Sequence, residues 1–577
     1  MHTVARSEFP RPDFERENWL SLNGEWQFSI DSPVFDRVIR VPFACETRLS
    51  GIEERGFHDR VYYRRTVELP ERMREHNLLL HFGAVDYSCR VFVDGRLAVA
   101  HMGGQTPFSA DITPLLRSKE RFVIEVEVED DPFDLEMPRG KQYWKEKPGG
   151  IFYDRTTGIW QSVWLEAVEP LYLKNCIITP LFDRRAVRFD YTLSQGTGCT
   201  LETVITFDRR EVVRLSHDVS GQTGSFAIPL DSPDTLKQCD FFEELCWTPE
   251  RPRLFDVLFT VKREGETLDR VRSYFGMRKV SVEDGVFLLN NRPYYQKLVL
   301  DQGYWPDSLL TAPDDEAFIK DIQLIKQMGF NGVRKHQKVE DPRFLYHADR
   351  MGLLVWGEIG SAYVYSPNAA CRLYREWQEA VLRDINHPCI VAWTPLNESW
   401  GVPAIHTDPA QQAHCQALYH LTRSLDPTRP VICNDGWEHE HTGGDLLTLH
   451  DYTADAELLA ARYRDMEQIL KLHPGKHSLY ARGFSYRGEP VLVSEYGGIK
   501  YAAGPAADNA WGYCEAADAK AFEDKYRALT SALLNAPDVQ GYCYTQLTDV
   551  GTETNGLLTQ TREAKIPLET IRRINRG

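Results

Sequence analysis

Two glutamates carry the plainest chemistry in this chain. Residues 390–400 read Ile-Val-Ala-Trp-Thr-Pro-Leu-Asn-Glu-Ser-Trp, an apolar run that breaks at Pro395 and delivers Asn397 and Glu398 onto a loop. Residues 490–498, Pro-Val-Leu-Val-Ser-Glu-Tyr-Gly-Gly, repeat the pattern and end an apolar strand in Glu495, 97 residues after Glu398. In a β/α barrel, an acid just beyond the carboxyl end of a strand faces the mouth where active sites form. Two such carboxylates suit acid/base and nucleophilic work on a glycosidic bond, one donating a proton and the other attacking. A single strand-end glutamate is more often an ion-paired structural residue, so it is the pair that points to catalysis. Glu358 ends a third apolar run, 353–357, and reads more readily as a structural or rim acid.

Holding such a pair requires a barrel, and from about residue 278 the period of the chain provides one. Strand-like runs near 294–300, 330–334, 353–357, 390–393, 430–433, 446–452, 491–495 and 539–544 mostly alternate with helix-like segments. Eight strands over about 300 residues predict a (β/α)₈ barrel spanning 278–577. Glu398 and Glu495 then follow its fourth and seventh predicted strands. Ahead of it, 1–168 is rich in short β runs separated by turn residues such as Asp94-Gly95, which predicts a β-sandwich. Residues 169–277 continue with alternating apolar and polar positions and predict a second, immunoglobulin-like sandwich without a catalytic constellation.

Composition narrows the partners. A chain of 577 residues exceeds one core, and 42% hydrophobic with 26% charged is ordinary globular usage. A net charge of −17 repels nucleic acid and anionic membranes but leaves an acidic small substrate open, because local charges decide inside a pocket. No run approaches the ~18 apolar residues of a membrane span, and the first residues lack the apolar core of a secretory signal. Twelve cysteines lie scattered without a Cys-x-x-Cys pair, as in a reduced cytoplasmic protein. No glycine-rich phosphate loop is present, so no nucleotide cofactor is expected. Residues 438–441, Glu-His-Glu-His, put His439 and His441 on one strand face, but without a third ligand they read as a polar loop. The expected partner is a small-molecule glycoside, with no metal; whether the chain forms a homo-oligomer is not fixed.

These motifs resemble glycoside hydrolase family 2, which contains β-galactosidases, β-glucuronidases and β-mannosidases. Asn397-Glu398-Ser-Trp and Ser494-Glu495-Tyr-Gly resemble its acid/base and nucleophile motifs. Trp19-Leu-Ser-Leu-Asn-Gly-Glu-Trp-Gln-Phe, residues 157–166, Asn331-Gly-Val-Arg-Lys-His and residues 352–358 resemble further segments in the family's order. The resemblance implies a jelly-roll sugar-binding domain, an immunoglobulin-like domain and a TIM barrel. It implies that Glu398 is the general acid, Glu495 the nucleophile, Asn397 a ligand of the sugar 2-hydroxyl, and Arg334 an orienter of the nucleophile. Tyr452, in His450-Asp-Tyr, matches a nucleophile-contacting tyrosine. His336 stands one residue nearer Arg334 than in relatives, and Lys335 lies between them. Asp301 and Gln302 follow the first strand and read equally as ligands of sugar hydroxyls or as structural turn residues. Trp393, Trp400, Tyr496 and Tyr544 each read equally as core residues or as platforms for a sugar face. Tyr544 or Gln546 stands where many relatives carry tryptophan, and Asp154 lies near the family's barrel-reaching aspartate. Arg139 to Trp144 form a loop that reads more readily as solvated, though it could also reach the site. Family β-glucuronidases carry Asn-x-Lys where this chain has Asn555-Gly-Leu557. The missing lysine favours a galacto-configured glycone, a β-galactoside or β-galacturonide, with Lys335 or Arg334 as a substitute cation; the alternatives are a β-glucuronidase or a catalytically silent carbohydrate-binding protein on the same scaffold.

Overall fold

The computed structural model describes residues 5–196, 198–237, 240–436, 441–502 and 509–577. Alternation does what it predicts in the first sandwich. The strand Arg121–Glu129 turns Phe122, Ile124, Val126 and Val128 inward and its glutamates outward. It lies in a six-stranded antiparallel sheet that packs on a four-stranded one containing Trp19–Ser21 and Val163–Val168. Their inner faces form one core around Trp26, Tyr63 and Phe82. Leu173–Leu181 begins a second sandwich of three-stranded and four-stranded sheets, with its own core around Phe189, Phe259 and Phe275.

The third core belongs to a curled parallel sheet whose strands we number β1 (Gln296–Asp301), β2 (Gly332–Lys335), β3 (Leu354–Glu358), β4 (Ile390–Thr394), β5 (Leu447–Asp451), β6 (Val491–Gly497) and β7 (Val539–Thr545). The order is β4-β3-β2-β1-β7-β6-β5. The run expected as a fifth strand, 430–433, makes only single parallel bridges, Trp393 to Val431 and, just beyond it, Asn397 to Asp435. Glu398 therefore follows β4 and Glu495 lies within β6. Helices cover the outside. Asp314, Ser366 and Asp408 cap three of them by accepting backbone N–H bonds, and Pro367 and Pro409 sit in the first turns. After β5 come two short helices, Ala456–Arg462 and Met466–Ile469, with Asp465 capping the second. No helix among the described residues is long and apolar enough to cross a membrane.

The first sandwich is seated on the barrel mouth. Val339 N–H donates to Gln105 Oε1 at 2.8 Å, and Gly140 N–H to the Ser361 carbonyl at 3.2 Å. Gly140 has φ +60°, and a Cβ there would lie 2.4 Å from the Gln337 carbonyl oxygen, so this crossing demands glycine.

Candidate active site

Arg334, at the carboxyl end of β2, is the electrostatic centre of the mouth. Its fully buried guanidinium donates from Nε to Glu358 (2.9 Å), from Nη1 to Glu495 (2.9 Å) and from Nη2 to Asn397 Oδ1 (2.6 Å). Nη1 also lies 2.6 Å from Asp435 Oδ2. Burial alone would lower its pKa, but Asp435, Glu358 and Glu495 hold it well above the usual arginine value. A fixed cation thus ties the nucleophile candidate to three neighbouring chain segments.

Glu495 is 4% exposed, and its Oε2 accepts a hydrogen bond from the Tyr452 hydroxyl. Tyr452 is itself stacked on Tyr513, ring centroids 3.3 Å apart. Glu398 stands opposite, less buried, on a loop where both it and Ser399 adopt left-handed backbone (φ +53° and +56°). Its N–H donates to the Asp435 carbonyl at 2.6 Å, which fixes that turn. Between the two acids lies His450, buried completely. Nδ1 is 2.7 Å from Glu398 Oε1, and Nε2 is 3.2 Å from Asp435 and 3.4 Å from Glu495. One ligand-type atom from each of Glu398, His450 and Glu495 lies within 4.8 Å of the others. Gly436 (φ +98°) makes room, because a Cβ there would sit 2.0 Å from the imidazole. Burial would lower the His450 pKa, but Glu495 and Asp435, with Glu398, raise it to about 10. This trio has the composition of a metal site, but the Arg334 guanidinium, with Nη1 3.2 Å from His450 Nε2, already places a positive charge beside it.

Asn397 presents a side-chain amide whose Nδ2 is buried and has no hydrogen-bond partner among the described residues. Such a donor is costly unless something arrives to accept from it. A polar chain lines the neighbouring wall. Gln302 donates to Gln546 Oε1 (2.9 Å), Gln546 to Asn555 Oδ1 (2.8 Å) and Asn555 to Glu553 Oε1 (3.1 Å). The Tyr153 hydroxyl from the first sandwich donates to the other Glu553 oxygen. Burial raises the Glu553 carboxyl above its usual value. His336, just beyond β2, has its Nδ1 3.0 Å from Glu358 Oε1. Burial, with Lys141 and Arg334 nearby, pushes it well below the usual histidine range, so it is neutral.

Several expected residues point elsewhere, because neighbours along a strand face opposite ways. Arg334 turns inward, so Lys335 turns outward. There it pairs with Asp301 and Glu340 and lies 4.1 Å from the Phe344 ring centroid. Neither Lys335 nor Asp301 reaches the mouth. Trp393 is a core residue, edge-on to Trp377 and donating to Asp426. Tyr544 packs outward on Tyr496 and Tyr526. Asp154 forms an ion pair with Arg55 while its neighbour Tyr153 takes the inward position. Leu557 is completely buried in the barrel core. Glu358 is held beneath Arg334 with no exposed side-chain surface. His439 lies outside the described residues, and His441 is bonded to the Thr448 carbonyl.

Sequence reasoning missed Asp435, Glu553, Tyr153 and Tyr513, which come from loops without local signals. His450 was legible, since it shares the inward face of β5 two residues before Tyr452. The rim is aromatic: Trp400 lies 5.2 Å from Tyr363 and 5.9 Å from Phe152, and Trp144 lies 4.6 Å from Tyr363.

Three family models match in succession. They are Glycosyl hydrolases family 2, sugar binding domain (19–166), Glycosyl hydrolases family 2 (172–278), and Glycosyl hydrolases family 2, TIM barrel domain (280–510). A β-galactosidase of Thermoanaerobacter pseudethanolicus is 26% identical over 76% of this chain and 58% of its own length. A β-glucuronidase of Rattus norvegicus is 25% identical over 84% of this chain and 76% of its own. Among solved structures, a β-D-glucuronidase of Dictyoglomus thermophilum superimposes with a TM-score of 0.79 at 20% identity, covering 99% and 98% of the two chains. A β-galacturonidase of Eisenbergiella tayi bound to galacturonate gives 0.75 at 20% identity over 99% of both. At that identity the structural likeness speaks for the fold.

Proposed function

The chain belongs to glycosyl hydrolases family 2, and we propose that it is a retaining exo-β-glycosidase acting on terminal β-linked hexosides of galacto configuration, β-galactosides or β-galacturonides. The observation that carries the reading is that one carboxylate oxygen of Glu398 and one of Glu495 lie within 4.8 Å of each other around His450. Retaining enzymes hold their carboxyl groups about 5–5.5 Å apart, whereas inversion needs about 6.5–9.5 Å to admit a water.

In this reading Glu398 donates its proton to the glycosidic oxygen while Glu495 attacks the anomeric carbon. The C–O bond to the leaving group breaks, an alcohol departs and a glycosyl ester forms on Glu495. Water then gives a proton to Glu398 and its oxygen to the anomeric carbon, which regenerates both acids with the β configuration kept. Arg334 and Tyr452 orient Glu495, and the unsatisfied Asn397 amide binds the sugar 2-hydroxyl. Gln302, Gln546 and Asn555 meet further hydroxyls, and His336 lines the same pocket. The burial of Leu557 supports a glycone other than that of Asn-x-Lys enzymes. We assign 1–168 as the sugar-binding unit, 169–277 as the spacer and 278–577 as the catalytic unit.

A panel of 4-nitrophenyl β-galactoside, β-galacturonide, β-glucuronide, β-glucoside and β-mannoside tests the substrate. NMR of the first-formed sugar tests the stereochemistry. The expected results are galacto-configured turnover and a β product. An α product at first turnover, or turnover of the glucuronide alone, would overturn the reading.

A further inference from the structure

Four lysines are buried among the described residues, Lys141, Lys335, Lys338 and Lys565. Three of them have answered their charge. Lys335 meets Asp301 and Glu340, Lys338 meets Glu340, and Lys565 meets Asp549 at 2.7 Å. Lys141, 6% exposed, has no ion pair and no hydrogen bond from its ammonium among the described residues. It comes from the first sandwich, one residue after the Gly140 crossing, and its Nζ lies 4.8 Å from the Trp400 ring centroid. Its charge acts on His336, after β2, and on Glu553, after β7. Residues following β2, β4 and β7 surround the centre of the mouth, so the ammonium is aimed into the substrate space.

We infer that Lys141 is the counter-ion for a carboxylate on the glycone, so that the substrate is a β-hexuronide in preference to the neutral hexoside. This rests on the glycosidase reading above and narrows it. A largely buried lysine with no protein anion paired to its ammonium suits a ligand that brings one. Glu553 is poorly suited, since the Tyr153 hydroxyl and the Asn555 amide occupy its two oxygens. Burial also favours its neutral form. His336 is neutral and the Trp400 face offers only a cation–π contact. A substrate carboxylate completes the set, and the docking of Gly140 against Gln337 and Ser361 keeps the ammonium in place before it arrives.

The test compares kcat/KM on 4-nitrophenyl β-galacturonide and β-galactoside for the wild type and for Lys141→Met. The wild type should prefer the galacturonide. The uronide-to-hexoside ratio should fall about 10- to 150-fold in the variant, the range expected for loss of one charged hydrogen bond. A ratio unchanged within threefold overturns the proposal while leaving the glycosidase intact. Should Lys141→Met fail to fold, inhibition of the wild type by free galacturonate and galactose decides. Galacturonate should bind more tightly, with an advantage that shrinks as salt rises; equal binding refutes the role of Lys141. A 2-deoxy-2-fluoro-β-galactosyl or galacturonyl label appearing on Glu495 separates this outcome from failure of the glycosidase reading, in which neither reagent labels it.

Discussion

Replacing Asn397 by alanine removes two separable things. The amide oxygen accepts from Arg334 Nη2 at 2.6 Å, and the amide nitrogen is a buried donor with no protein partner among the described residues. Loss of the oxygen strands one N–H of a guanidinium with no solvent exposure, which should lower folding stability by about 1–3 kcal/mol. In the proposed reading, loss of the nitrogen also removes a bond to the sugar 2-hydroxyl that strengthens as positive charge builds on the ring. If that bond is worth about 1.5–3 kcal/mol at the transition state, kcat/KM falls about 10- to 150-fold. The assay is a cycle over two enzymes and two substrates, a 4-nitrophenyl β-glycoside and its 2-deoxy analogue. The intrinsic reactivity of the 2-deoxy sugar cancels in the cycle, which leaves the Asn397–hydroxyl coupling. Wild type should lose its advantage on the 2-deoxy substrate by a factor that Asn397→Ala does not reproduce. Equal factors within threefold in both enzymes would refute the assignment, whatever the variant's absolute rate.

Two further outcomes follow from the same geometry. The pKa of His450 is raised to about 10 in the folded protein against about 6.5 unfolded, so its stabilising contribution is complete below about pH 6.5 and fades as pH rises through 10. The gap in melting temperature between wild type and His450→Gln should therefore narrow from pH 7 to pH 10, and a constant or widening gap contradicts a protonated imidazole among the acids. Trp400, two residues beyond Glu398, packs with Tyr363 and Phe152 at the rim. Trp400→Ala should raise KM for aryl glycosides about 2- to 13-fold more than for methyl glycosides, as expected for one aromatic pair, and an equal effect on both would remove the ring from leaving-group binding.

The two glutamates were legible because their signal is local. Each follows or ends a short apolar strand, and a barrel turns every such end toward one face. The same locality misled at Lys335, Trp393 and Tyr544. These residues share strand ends with inward groups but sit one position out of phase, and the period of two sends them into the wall or under the helices. Counting alternation from Arg334 and Tyr452 would have separated the two sets and found His450.

What the sequence determined by itself was the layer order, the parallel barrel and the pair of acids on it, because periodicity and strand-end placement need no knowledge of distant partners. What only the tertiary structure decided was which charges meet. Asp435 and Arg334 lie 101 residues apart in the chain, and Lys141 and Tyr153 enter the mouth from another sandwich. A charge is costly or useful according to what lies within a few ångströms of it. That proximity is set by the docking of one unit on another, which leaves no mark on the neighbouring letters of the sequence.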